Sequence, residues 1–338
     1  MDYRPAIFIV GLLLATLAVV MCLPAIADFA YGHPDWQVFA VAAATTFFVG
    51  VTMSLTAKVR GLKLTIRHAF MITTASWVAM TLFASLPFVF SELDMNFTDA
   101  LFEAMSGITT TGSTVIVGLD NAPPGILLWR SLLQWLGGIG IIVMGIAVLP
   151  MLQVGGMQLF RMESSDQSDK AMPRAAQIAS AIGVIYFALT IIWSGFYWLA
   201  GMSGFDAIVH AMTTIATGGF SSHDASIAHF ESAAIDYIAT AGMVVGALPF
   251  ILYLRTLQGD LLAVFNDSQV QWFVVFVSSV IVMTTGWLVL EIGERPLEAL
   301  RLAAFNIVSV ITGTGYATDD YGLWGAFSPV IFFFIMFI

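Results

Sequence analysis

The chain has 338 residues, 59% of them hydrophobic and 10% charged, with a mean hydropathy of +0.91. A soluble domain carries about 25% charged residues, so a single aqueous core cannot absorb these side chains and lipid must act as part of the solvent. The net charge of −10 describes no one face, because acids and bases are sorted along the chain. A single cysteine, Cys22, excludes an internal disulfide and a cysteine-rich metal site, and its apolar surroundings predict a buried thiol.

A membrane-crossing helix needs about 20 apolar residues. The first candidate follows Arg4 and runs from Ala6 to Ala27. It is longer than the roughly 7–15-residue apolar core of a cleaved leader, which predicts a retained helix. In chain order the predicted spans are 6–28, 37–57, 69–90, 126–150, 178–200, 234–255 and 272–292, with an eighth starting near 326. Three amphipathic stretches, 98–110, 204–216 and 297–312, are too short to cross. Each precedes a Thr/Gly-rich segment and then another apolar run. They predict re-entrant helices, since non-helical backbone at membrane depth survives only where protein or water covers it.

Charge supports the same topology. Arg4, Lys58, Arg60, Lys63, Arg67, Arg161, Lys170, Arg174 and Arg255 fall on one side, and only Arg130, Arg295 and Arg301 on the other. Basic residues in short links mark the cytoplasmic side, which puts the N-terminus inside. Acids such as Glu92, Asp94, Asp99, Asp120, Asp224 and Asp319 collect on the outer side, where the short helices enter.

The short stretches align with one another. They end in Thr111-Gly112, Thr217-Gly218 and Thr314-Gly315, at spacings of 106 and 97 residues (112 to 218, 218 to 315). The unit is span, short helix, Thr-Gly, span. Two spans per unit return the chain to its starting side, so successive units share one orientation and relate by an axis along the membrane normal. Thr-Gly segments around that axis converge on a pore. Such a pore suits a dehydrated cation: carbonyl oxygens replace its water shell, glycine aims them without Cβ strain, and a helix C-terminus is electronegative.

Other residues have simpler expected roles. The Leu136-Gly137-Gly138-Ile139-Gly140 run predicts close helix packing. His210 and His223 are expected to be structural or surface residues, Asp28 to Asp35 a solvated loop, and Arg130 a side chain snorkelling to headgroups. Glu103 is expected to face the outer vestibule or pack locally. A membrane enzyme would need clustered His, Asp, Glu or Cys, and the sequence suggests no such cluster. A carrier of organic solutes would show inverted repeats rather than parallel ones.

Thr109-Thr110-Thr111-Gly112-Ser113, Ala216-Thr217-Gly218-Gly219-Phe220-Ser221, Thr312-Gly313-Thr314-Gly315-Tyr316 and Gln134-Trp135-Leu136-Gly137-Gly138-Ile139-Gly140 resemble the superfamily of K⁺ transporters that includes TrkH/TrkG, KtrB and plant HKT. The two extra N-terminal spans resemble the TrkH/TrkG branch. The resemblance implies an all-α integral membrane fold in which span–pore helix–span repeats stand in pseudo-fourfold arrangement. Its parts would be two N-terminal helices with their link (1–68), a first pore repeat (69–177), a second (178–270) and a third (271–338). It implies K⁺ uptake through a carbonyl-lined filter, coupled or not to H⁺ or Na⁺, with Na⁺ or an organic solute as the alternative cargo. The implied filter residues are Thr110, Thr111, Gly112, Ala216, Thr217, Gly218, Gly313, Thr314 and Gly315, and Gly112, where Ser would go with Na⁺, favours K⁺. It also implies the bacterial cytoplasmic membrane with its lipid, a homodimer, and a cytoplasmic nucleotide-binding regulator of TrkA type. No organic cofactor and no nucleic acid are expected. Three repeats are legible where the family has four, and Phe332 to Ile338 has no polar stop. The chain is therefore expected to be a fragment that does not conduct K⁺ selectively alone.

Overall fold

The computed structural model describes residues 2–58, 66–152 and 171–337. The basic residues Arg60, Lys63, Arg161 and Lys170 lie outside the described residues. The chain divides into two compact units. One comprises 1–109, 114–116 and 121–180; the other comprises 110–113, 117–120 and 181–338. The described residues are helical throughout, apart from turns and extended links.

In the first unit, α1 (Arg4–Tyr31) and α2 (Trp36–Thr56) form a hairpin. They cross at glycines. A Cβ on Gly11 would stand 2.6 Å from the Gly50 carbonyl oxygen, and one on Gly50 would stand 2.7 Å from the Gly11 oxygen. Small residues allow such close backbone approach where lipid supplies no hydrophobic drive. Next come α3 (Ile66–Ala84), α4 (Leu86–Phe90), the short α5 (Phe97–Ile108) and α6 (Pro124–Leu152). Helix α7 (Ala171–Leu199) carries the chain onward.

Two expectations change here. Cys22 is exposed rather than buried, because the covered stripe of α1 runs through Leu14, Leu17, Met21 and Pro24 beside it. The stretch from Asp28 to Asp35 is not a solvated loop. Helix α1 continues to Tyr31, and both carboxylates are buried. Asp28 accepts the Gly125 N–H at 2.5 Å, and Asp35 accepts the Glu92 N–H at 3.1 Å. Gly125 lies in the first turn of α6, where backbone donors lack helical partners and attract a carboxylate.

The second unit contains α8 (Gly204–Ile215), α9 (Ala233–Ala247), α10 (Phe250–Leu257), α11 (Ala263–Asn266), α12 (Ser268–Trp287), α13 (Pro296–Ile311) and α14 (Phe327–Ile335). The predicted span 234–255 is not one helix. It breaks between α9 and α10 with a bend of 88°. Pro249 removes a donor and drives Leu248 to an extended conformation (ψ 148°). The Tyr253 hydroxyl then donates to the Val245 carbonyl at 2.7 Å.

Among the described residues, six helical stretches are long and apolar enough to cross a membrane: Arg4–Tyr31, Trp36–Thr56, Arg67–Phe90, Pro124–Ile142, Gln177–Leu199 and Ser268–Ile292; the broken pair makes a seventh if counted as one span. The three short stretches form helices within two residues of their predicted bounds.

Candidate functional site: a ring of glycine-bent backbone

Helices α5 and α8 start the same way. The side chains of Asn96 and Ser203 cap them, each accepting the N–H of an aspartate three residues on, Asp99 and Asp206. Pro296 opens α13 instead. All three helices end on isoleucine: Ile108, Ile215 and Ile311.

Past those isoleucines the backbone repeats one pattern. Thr110 (φ 56°), Thr217 (φ 49°) and Gly313 (φ 71°) are left-handed, and so are Gly112 (φ 79°), Gly219 (φ 75°) and Gly315 (φ 83°). A β-branched residue is seldom left-handed, so two of the three repeats hold a threonine under strain. This pattern sets the register. The counterpart of Gly112 and Gly315 is Gly219, one residue beyond the expected Gly218. Matching on Thr-Gly alone slips the second repeat by one; Gly218 stands level with Thr111 and Thr314, and Ala216 with the C-cap residues Thr109 and Thr312.

Residues 110–113 belong to the same unit as the second and third segments, and the three meet. A Cβ on Gly112 would lie 2.1 Å from the Gly218 carbonyl oxygen and 3.4 Å from the Thr314 oxygen. A Cβ on Gly219 would lie 1.8 Å from the Thr314 oxygen. The contact from the first segment to the second is thus repeated from the second to the third, glycine against the carbonyl just before the neighbour's glycine. Repetition of one head-to-tail contact is how a ring is built. Around Gly313 and Gly315 the Cβ positions meet nothing within 4 Å.

A second repeated device holds the strand that follows each glycine. Nine residues before Gly112, Gly219 and Gly315 stand Glu103, His210 and Asn306, all fully buried. Glu103 accepts the Thr114 hydroxyl at 2.9 Å and the Val115 N–H at 3.0 Å. His210 donates from Nδ1 to the Asp206 carbonyl, which leaves Nε2 to accept the Ser221 hydroxyl at 2.9 Å. Asn306 donates to the Thr318 hydroxyl at 3.0 Å. Three chemistries thus do one task at one register. Tyr316 adds a further tie: its hydroxyl meets Thr213 and donates to the His210 carbonyl at 3.2 Å, while Ser309 donates to its carbonyl at 2.7 Å.

Arg130 does not snorkel. It is 1% exposed, and its Nε donates to Glu103 at 2.7 Å. Sequence offered two isolated charges there, on helices 27 residues apart. Gly137 packs closely, as expected: a Cβ would stand 1.9 Å from the Ile108 carbonyl oxygen. The signal overlooked in sequence is a polar residue five places before each terminal isoleucine.

Sequence suggested no cluster of histidines and acids, yet the second unit assembles one. Asp120, His223 and His229 lie together, and the His223 Nδ1 hydrogen-bonds Asp120 at 2.6 Å. That bond is the chief reason the Asp120 carboxyl is held below its ordinary value of 3.8.

Residues 35–338 match the model of the TrkH family, described as cation transport protein. The chain is 43% identical to the Trk system potassium uptake protein TrkI of Halomonas elongata, covering 99% of this chain and 68% of that protein. It is 37% identical to the Trk system potassium uptake protein TrkH of Escherichia coli K12, covering 98% and 70%. The crystal structure of the potassium transporter TrkH from Vibrio parahaemolyticus superposes with a TM-score of 0.91 at 35% identity, over 99% of this chain and 70% of that one. With its helical multi-pass fold, its parallel repeats and these matches, the chain belongs to the TrkH family of cation transport proteins.

Proposed function

We propose that this chain contributes to a pathway for K⁺ uptake across the bacterial cytoplasmic membrane, with the ion passing between the backbone oxygens of Thr110–Gly112, Thr217–Gly219 and Gly313–Gly315. The observation that carries this is the repeated packing of a left-handed glycine against its neighbour's carbonyl, which gathers oxygens from three separate segments. Carbonyls so gathered supply coordination without net charge. The potassium uptake named for the relatives from Halomonas elongata and Escherichia coli supports the same cargo.

The finer reading follows from that one. The repeats are 69–177, 178–270 and 271–338, after two N-terminal helices. The N-terminus faces the cytoplasm, in keeping with Arg4, Lys58 and Arg67 on that side. Those basic links suit anionic lipid and a nucleotide-binding regulatory subunit of TrkA type, and the protein works as a homodimer with a pore in each protomer.

The test is growth at low K⁺, with ⁸⁶Rb⁺ uptake, in cells that lack other potassium uptake systems. The gene and its Gly112→Ser and Gly219→Ser variants are compared at matched membrane levels. Rescue by the parent that both variants lose supports the reading. Rescue that both variants retain, or a parent that transports an organic solute and no Rb⁺, overturns it.

A further inference from the structure

The loops that follow the first two filter segments meet in a cluster with no part in ion passage as described above. Asp120 sits in a 3₁₀ turn, His223 just past the second filter segment, and His229 in the turn Ser226–Phe230. The imidazoles of His223 and His229 stack face to face, with centroids 3.5 Å apart and planes within 3°. Both direct Nδ1 at one carboxylate oxygen of Asp120, at 2.6 and 3.8 Å. Phe230 meets both rings edge-on.

The backbone under the cluster is fixed. Asp224 accepts the N–H groups of Gly118 and Leu119 at 3.1 and 3.0 Å. Ala228 donates to the Ala317 carbonyl at 3.2 Å, and Ser226 accepts the Ala317 N–H at 3.3 Å. The donors therefore sit on a frame already in place.

His223 is the telling member. Its Nε2 is buried without a hydrogen-bond partner and lies 3.5 Å from Asp206. Asp206 is itself held by the hydroxyls of Ser203 and Ser222, each at 2.7 Å. One ring proton cannot serve carboxylates at both nitrogens; a second proton or a cation at Nδ1 must supply what is missing. A metal ion on Nδ1 resolves this: it takes Asp120 and Nδ1, and the ring proton moves to Nε2, facing Asp206. A carboxylate behind a ligand histidine is the usual outer support of a metal site.

We propose that Asp120, His223 and His229 form an outer-face site for a divalent cation of the zinc class, bound through one carboxylate oxygen and two Nδ1 atoms. Two imidazoles and a carboxylate suit Zn²⁺, Co²⁺, Ni²⁺ or Cu²⁺ rather than Mg²⁺ or Ca²⁺. The open positions that remain fall to water, since Asp120 and His229 are 44% and 43% exposed. On binding, the ion displaces the Nδ1 proton of His223 and staples the loop after the first filter segment to the loop after the second.

The test is titration of the purified chain, with any affinity tag removed, with Zn²⁺ by calorimetry and Co²⁺ by visible absorption. One ion per chain is expected, with cobalt d–d bands typical of nitrogen and oxygen ligands. His229→Asn, at an exposed position that leaves the fold intact, and His223→Gln should each weaken binding about tenfold or more. Size exclusion checks that the variants remain monodisperse. The proposal is overturned if the parent takes up no Zn²⁺ below millimolar concentration, or if both variants bind as the parent does.

Discussion

The buried pair between Glu103 and Arg130 gives the sharpest energetic test. Glu103→Gln keeps the shape and a carbonyl oxygen for Thr114 and Val115, but takes the carboxylate away from a guanidinium at 1% exposure. Breaking one side of such a pair costs about 3–5 kcal/mol. Arg130→Gln leaves the carboxylate with the Thr114 hydroxyl and the Val115 N–H, and bonds of that kind to a charged group are worth about 1.5–3 kcal/mol each. Its cost should therefore fall below that of Glu103→Gln. The double variant buries no net charge and should cost less than the sum of the singles by about 2 kcal/mol, within the range of coupled neighbours. Unfolding of all four proteins by SDS titration in mixed lipid–detergent micelles measures the cycle. Additivity within about 0.5 kcal/mol would refute the coupling, and with it the claim that Arg130 serves the first filter strand through Glu103.

Gly137→Ala drives a methyl to 1.9 Å from the Ile108 oxygen and should cost about 1–3 kcal/mol; Gly140→Ala, with nothing within 4 Å, should be neutral or stabilising in the same SDS titration. His210→Phe and Asn306→Leu cut their links to Ser221 and Thr318 and should admit Na⁺ into Rb⁺ uptake competition at lower concentration than the parent does. Tyr253→Phe leaves the Val245 carbonyl without its hydroxyl and should lower stability by about 1 kcal/mol, read by thermal unfolding. Because the Asp120 carboxyl titrates below 3.8 in the folded chain, its stabilising contribution is full above the unfolded value and is lost as pH falls through the folded one. Melts between pH 5 and 3 should show that acid-side loss, and His223→Gln should flatten it.

Hydropathy and residue spacing made the spans and short helices legible, because lipid forces backbone bonding into helices and length alone then separates crossing from re-entrant ones. The break at Leu248–Pro249 was written in the sequence but outweighed by the apolar run around it. The three glycine-bent segments were legible, but not which glycine of the second is left-handed: Gly218 and Gly219 are alike in sequence and differ in φ sign. Glu103, Arg130, His210 and Asn306 were each visible as residues. Their pairing depends on helix approach, which no local pattern encodes. The cluster of Asp120, His223 and His229 joins positions about a hundred residues apart, a separation that only tertiary structure closes.

The glycine-to-carbonyl contact bears on motion as well as on shape. The Gly218 oxygen fills the space a side chain on Gly112 would need, and the Thr314 oxygen does the same at Gly219. Rotating either peptide plane would open a gap beside its neighbour, in a setting where lost packing is costly. The three strands are therefore interlocked against reorienting one at a time, and in the pathway proposed above an ion leaving its oxygens would find them still in position for the next.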